Sequence, residues 1–343
     1  MDFLPTLWFI LIAVLWTGYL FLEGFDLGVG MHVLVSARSE TDRRVMLNTI
    51  GPVWDGNEVW LITAAGATFA AFPFWYASLL STMYLPLIVV LLGLIFRAVA
   101  IEYRGKGHTR RWRRGWDLAL ALGSLVTAFG VGALLGLTTT GLPLDANGDG
   151  AAGAFGWLTG WAVVGGLAVV GFCLVHAAAF LALKTDGDVR NRAGRFASHW
   201  MPVLLLPLLA WAVSVQYMHG KAYTWPIVIA AVVAGVWGWR AARRGSEGRA
   251  FAGLGCFLVL CAASIFANVY PVVLPSTIDH AFDLTVSNAS SSPYTLGVMS
   301  VVAAFGIPLV LAYQGWTYWV FRKRIASSGI PAAHPIAAAV KPR

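Results

Sequence analysis

Long apolar runs alternate with short polar stretches along almost the whole chain. A run of about 20 apolar residues is what a helix needs to cross a hydrocarbon core of about 30 Å. Nine such runs can be marked out, at residues 3–35, 57–72, 75–101, 116–137, 157–183, 200–218, 224–239, 251–274 and 294–321. The pattern predicts an all-α, polytopic membrane protein with nine transmembrane helices in a single domain over residues 1–330. A Pro/Ala-rich tail over 331–343 is expected to be disordered. The first run is overlong, since about 33 helical residues would measure about 50 Å, so it must tilt, bend or project. Gly24, Gly28 and Gly30 within it suit a bend or a close helix contact.

Composition strengthens this reading: 58% of residues are hydrophobic, 12% are charged and the mean hydropathy is +0.72. The net charge of +8 therefore signals topology rather than nucleic-acid binding. With the N-terminus outside, 22 of the 24 Lys and Arg residues fall on the cytoplasmic side, in groups around 38–44, 104–114, 184–195, 240–249 and 322–343. Lys221 falls outside and Arg97 lies within the third span. The expected arrangement is thus a multi-pass protein of the bacterial inner membrane, N-terminus outside and C-terminus cytoplasmic. The first span has Asp2 where a cleavable signal would carry a basic region, and its apolar run is too long for one.

Ionisable residues inside hydrocarbon are costly and mark function by default. The stretch Trp54-Asp55-Gly56-Asn57-Glu58 places two carboxylates at the mouth of the second span, three residues apart and so on one helical face. Glu23 and Asp26 repeat that spacing in the inner half of the first span, and Glu102 closes the third. Five carboxylates, Glu23, Asp26, Asp55, Glu58 and Glu102, are therefore expected at one depth, forming a hydratable, cytoplasm-facing inlet able to carry protons. Arg97, at the same depth, is expected to pair with Glu23, Asp26, Glu58 or Glu102, because a lone buried guanidinium is expensive. Asn57 and Trp54 are candidate supporting residues. The competing structural reading makes Asp55 a cap of the second helix, with Glu58 completing a capping box.

Other motifs carry less. Asp145 to Gly150 looks like a calcium loop but lacks its twelve-residue ligand pattern, and reads as a solvated turn. Asn288-Ala289-Ser290 matches a glycosylation sequon, which means nothing outside a secretory pathway. Thr41-Asp42-Arg43-Arg44 reads as the start of a short surface helix. Cys173, Cys256 and Cys261 form no CxxC pair and are expected to be buried packing residues. His176, within the fifth span, could ligate haem or metal, although a lone helical histidine is more often hydrogen-bonded packing. The remaining histidines sit at span ends or in loops, so no bis-histidine haem site is expected in this chain, nor any metal site.

Several blocks resemble subunit II of cytochrome bd-type quinol oxidases: Glu23 to Gly30, Asn48 to Leu61 around Trp54-Asp55-Gly56-Asn57-Glu58, and Phe96 to Arg104. Val269-Tyr270-Pro271 through Thr277, Asn288 to Leu296 and Gly315 to Phe321 extend the likeness across the chain in order. The resemblance implies two four-helix bundles plus one peripheral helix, in a heterodimer with a haem-bearing subunit I. It implies that haems b and d sit in that partner, which oxidises quinol, and that oxygen is reduced to water at haem d. This chain would bind no cofactor alone, a structural quinone being compatible with the family; small accessory subunits could join, and no nucleic acid is involved. The family's proton-route aspartate falls on Asp55, and its acidic positions in the first and third helices fall on Glu23, Asp26 and Glu102. Two other classes remain open on residues alone: a proton- or cation-coupled transporter, and a purely structural partner subunit.

Overall fold

The computed structural model describes residues 3–330; the expected tail over 331–343 lies outside them. The helices in chain order are α1 (Phe3–Val35), α2 (Glu40–Ile50), α3 (Trp54–Ala71), α4 (Pro73–Thr82), α5 (Tyr84–Tyr103) and α6 (Arg110–Thr140). They continue as α7 (Gly160–Lys184), α8 (Gly187–Leu204), α9 (Leu206–His219), α10 (Trp225–Arg243), α11 (Glu247–Val269) and α12 (Pro293–Val320). Among the described residues, eight helical stretches are long and apolar enough to cross a membrane. A ninth is reached when α3 and α4, which meet at 119° across Phe72, are taken together.

Proline accounts for most departures from the expected boundaries. Pro73 opens α4, and Pro86, which has no N–H for the preceding turn, follows the break at Met83 that divides the expected 75–101 span. The sixth span starts well before residue 200, because α8 is helical from Gly187. Its buried residues Val189, Ala193, Ala197 and Met201 recur every four positions and hold its arginine-rich end to the protein. Pro207 then starts α9 after the break at Leu205. The eighth expected span is α11, which ends at Val269 rather than 274. The chain there turns into a two-stranded antiparallel ribbon, β1 (Val272–Leu274) with β2 (Leu284–Thr285), which helical periodicity gave no reason to expect.

The short helix α2 begins at Glu40, one position before the expected start. Ser39 accepts from the Asp42 N–H at 3.0 Å while Asp42 accepts from the Ser39 N–H at 3.1 Å, a reciprocal cap. In the loop after α6, Asp145 Oδ1 accepts from the N–H groups of Asn147 and Asp149, closing a local turn. Asn288 likewise serves its own loop, accepting from Thr285 N at 2.7 Å.

α1 is the organising helix, packed against α3, α6, α7 and α11. Gly28 lets its backbone approach that of α7, since a Cβ there would collide with the Cys173 carbonyl and the Ala177 methyl. Gly132 and Gly165 do the same between α6 and α7. α12 stands apart: Leu296 is its one buried residue among those described. Of the cysteines, Cys173 and Cys261 are buried as expected, whereas Cys256 lies on the outward face of α11 and is exposed.

Candidate functional site

Arg97 projects from α5 into the interior with no solvent exposure. One of its terminal nitrogens pairs with Glu23 of α1, also fully buried, and the other donates to Glu58 Oε2 of α3 at 2.7 Å. Two of the four expected partners are thus realised. Taking these charges out of water costs several kcal/mol per ion, so the group persists through mutual pairing across three helices. The acids grade in exposure: the Glu58 side chain keeps 18% of its accessibility, while Glu23 and Asp26 keep none.

Asn57 joins the second half of the cluster. Its amide nitrogen donates to Asp26 Oδ2 at 2.6 Å and to the Leu22 carbonyl at 3.3 Å. Its carbonyl oxygen accepts from Gln314 Nε2 at 2.8 Å and from the Tyr318 hydroxyl at 2.7 Å, both on α12. Trp60 Nε1 also donates to Gln314 Oε1, at 3.2 Å, a further contact between α3 and α12. The sequence reading missed Gln314 and Tyr318. An amide four residues before a tyrosine, on one face of an otherwise apolar run, was the available signal. Asp26 Oδ1, Glu23 Oε2 and the Tyr19 hydroxyl are buried with no hydrogen-bond partner among the described residues.

The expected convergence of five carboxylates is met by Glu23, Asp26 and Glu58 only. Asp55 lies in the first turn of α3 and is exposed, one turn nearer the helix end than Glu58. It does not cap the helix: Val53 occupies the cap position, without a side-chain hydrogen bond, so the capping-box alternative fails. Trp54 is half-buried beside it. Glu102 is exposed near the end of α5. It follows Arg97 by five residues, which rotates it about 140° round the helix and moves it about 7.5 Å along the axis.

A separate ionic cluster ties α2 to the ends of α5 and α6. Arg104 holds Glu40 through two hydrogen bonds of 2.8 and 2.9 Å and Asp117 through bonds of 2.5 and 3.3 Å, and Arg43 approaches Asp117 at 3.4 Å. Arg192 of α8 reaches Asp42 at 2.6 Å. Burial works against charging Glu40, but the hydrogen bonds and charge of Arg104, helped by Arg113 and Arg43, hold its carboxyl below the usual range. Asp42 is lowered in the same way: burial opposes ionisation, and the N–H of Arg38, the Ser39 hydroxyl and Arg192 outweigh it.

The buried histidines are posed for packing. His176 Nε2 is 2.9 Å from the Phe21 carbonyl, and its ring is stacked between Phe172 and Phe251 at 4.8 and 4.5 Å. His32 is within hydrogen-bond distance of the Leu174 carbonyl on one side and the Ser36 hydroxyl on the other. An axial haem ligand needs a nitrogen open to the metal and space for the macrocycle along that direction. His176 Nδ1 has no partner among the described residues, but the aromatic rings packed on both histidines occupy the space a macrocycle would need.

A sequence model of the family described as cytochrome bd terminal oxidase subunit II matches residues 4–321. The chain is 41% identical over 331 residues to cytochrome bd ubiquinol oxidase subunit 2 of Bacillus subtilis (strain 168), covering 95% of this chain and 98% of that one. It is 31% identical over 371 residues to cytochrome bd-I ubiquinol oxidase subunit 2 of Escherichia coli (strain K12), covering 96% and 97%. Among solved structures, a chain of the bd oxidase from Geobacillus thermodenitrificans superposes with a TM-score of 0.76 at 18% identity. That match spans 93% of this chain and 98% of the other, a likeness of fold.

Proposed function

The chain belongs to the cytochrome bd terminal oxidase subunit II family, and from that premise we propose that it brings protons from the cytoplasm towards the oxygen-reducing site of its partner. As subunit II of a bd oxidase it is a component of a terminal oxidase, a multi-pass membrane protein whose family implies a subunit I partner and haem in the complex. The finer assignments are our reading. The haems b and d lie in subunit I, which oxidises quinol and reduces oxygen to water. This chain braces that subunit and lies in the bacterial inner membrane with its N-terminus outside.

The observation that carries the proton role is the acid ladder on α3 and α1. Asp55 is exposed, Glu58 is partly so, and Glu23 and Asp26 are fully buried, with Arg97 linking Glu58 to Glu23. A proton taken up at Asp55 can pass to Glu58 one turn deeper, and then to the buried pair on α1. Asn57 fixes one oxygen of Asp26 and leaves the other unused, an acceptor in the direction of travel. Arg97 keeps acid groups tolerable inside the membrane without closing the sequence of carboxylates. Quinol oxidation releasing protons outside, with uptake from inside, would generate a potential without a pump. The exposed position of Glu102 makes it a collecting group at the surface rather than a step within the membrane.

The family's arrangement of two four-helix bundles and a peripheral helix is supported by α1, α3, α5 and α6 packing on one side, α7 to α11 on the other, and by the exposure of α12. The test is oxygen consumption by the assembled oxidase carrying Asp55→Asn, Glu58→Gln or Asp26→Asn. Each is expected to slow turnover at least about tenfold, as removal of a proton-transfer group does, with the haem spectrum intact. Unchanged turnover would remove that residue from the path. Loss of haem together with activity would favour a bracing role alone.

A further inference from the structure

A cavity of about 480 Å³ opens between α1, α2, α7, α11 and α12 near the basic end of the molecule, with Leu22 and Tyr318 forming the wall it shares with the Asn57 network. Its walls are aromatic, with Phe25, Phe180, Phe251 and Phe321 among them. Its rim carries Lys184, Arg322 and Arg324. The combination is amphipathic: a pocket that favours hydrocarbon, closed by cations at the level where a membrane presents its headgroups.

Two of the three rim charges have no acidic partner among the described residues. Arg324 approaches Asp186 at 3.4 Å and Glu247 at 3.7 Å, and Arg190 holds Glu247 at 2.7 Å, so two acids offset these two arginines. Lys184 and Arg322 pair with no carboxylate among the described residues. Lys184 donates to the carbonyls of Phe321 and Lys323, which uses two of its three N–H groups. Arg322 donates to the Trp319 carbonyl at 2.6 Å and lies 4.5 Å from the centre of the Trp319 ring, leaving the rest of its guanidinium outward. Two carbonyl-anchored cations are therefore held over an apolar pocket.

We propose that this cavity binds one anionic glycerophospholipid of the surrounding bilayer, its phosphate held by Lys184 and Arg322 and an acyl chain lying against the phenylalanine walls. A free phosphate would gain nothing from the aromatic pocket, and a neutral amphiphile would gain only neutral hydrogen bonds from the two uncompensated cations. The bound lipid would bridge the cytoplasmic ends of α7 and α12, the same ends that Lys184 already joins.

The assembled oxidase, delipidated in detergent and titrated with phosphatidylglycerol or phosphatidylcholine of identical chains, is examined by native mass spectrometry. One phosphatidylglycerol is expected to be retained in preference to phosphatidylcholine. Each rim cation removed should weaken retention about fivefold, so the double variant Lys184→Gln, Arg322→Gln should lose about 25-fold. Arg110→Gln with Arg111→Gln, exposed cations elsewhere on the chain, should leave retention unchanged. Leu183→Trp, which intrudes on the cavity wall without touching its charge, should weaken retention with haem content intact, and it decides the matter if the double variant fails to assemble. Equal retention of both lipids, undiminished binding in Leu183→Trp, or an equal loss in the Arg110/Arg111 variant would overturn the proposal.

Discussion

Arg97 and Glu23 meet with neither side chain exposed, joining α5 to α1 in the interior of the membrane-spanning bundle. Removing the cation strands a buried carboxylate, an effect of about 3–5 kcal/mol. Arg97→Ala should therefore lower assembly yield and thermal stability together, whereas Arg97→Lys, which keeps the charge but not the two-pronged reach to Glu23 and Glu58, should recover part of both. Haem-to-protein ratio and a melting curve of the purified assembly measure this. Normal stability of Arg97→Ala would mean that the acids need no counter-charge.

Asn57 satisfies Asp26 on one side and α12 on the other. Asn57→Leu leaves the Gln314 amide and the Tyr318 hydroxyl without their acceptor, at about 1–3 kcal/mol each, and should expose α12 to protease cleavage. Tyr318→Phe loses a single hydrogen bond and should have a smaller effect. Limited proteolysis of the loop before residue 293 compares the two, and equal resistance in Asn57→Leu and the parent would contradict the prediction.

Close approach of α1 to α7 depends on Gly28. Gly28→Val should destabilise the protein by about 1–3 kcal/mol through overpacking against the α7 backbone. Gly66→Ala, where a Cβ meets nothing within 4 Å, should be neutral or slightly stabilising. Thermal unfolding of both variants in the same detergent makes the comparison, and equal melting temperatures would show that α1 can shift away.

Acid should loosen α2. Glu40 and Asp42 both ionise more readily in the folded protein than ordinary carboxyls do. Their contribution is complete above the unfolded carboxyl values, about 3.9 to 4.3, and is lost as pH falls through the lower folded values. Hydrogen exchange over residues 40–50 should be slow at pH 7 and accelerate, relative to the intrinsic rate, below about pH 4. The Glu40→Gln variant should exchange faster at pH 7 and respond less to acid. Acid-insensitive protection in the parent chain would count against the Arg104 clamp.

Periodicity made the helical class legible, because twenty apolar residues in a row have few other fates. Arg97 was legible too: a single guanidinium in an apolar run must find an acid, and the nearby acids were few. Depth was harder to read. Asp55 lies three residues from Glu58 and Glu102 five residues from Arg97, but about 4.5 to 7.5 Å along a helix and the accompanying rotation carry a side chain from interior to surface. Gln314 and Tyr318 escaped notice because neutral polar groups cost less in lipid than charges, and their partner is more than 250 positions earlier in the chain. The β1–β2 ribbon is too short for an alternating pattern to announce it.

α12 follows α1 to α11 in the chain, and it brings both groups that saturate the Asn57 carbonyl. Until it inserts, the half-made subunit holds an open amide at the level of its acids. Docking of α12 is thereby written into the chemistry of the bundle: a product truncated before residue 293 would carry an unsealed polar seam that a membrane quality-control protease could tell from protein with α12 in place.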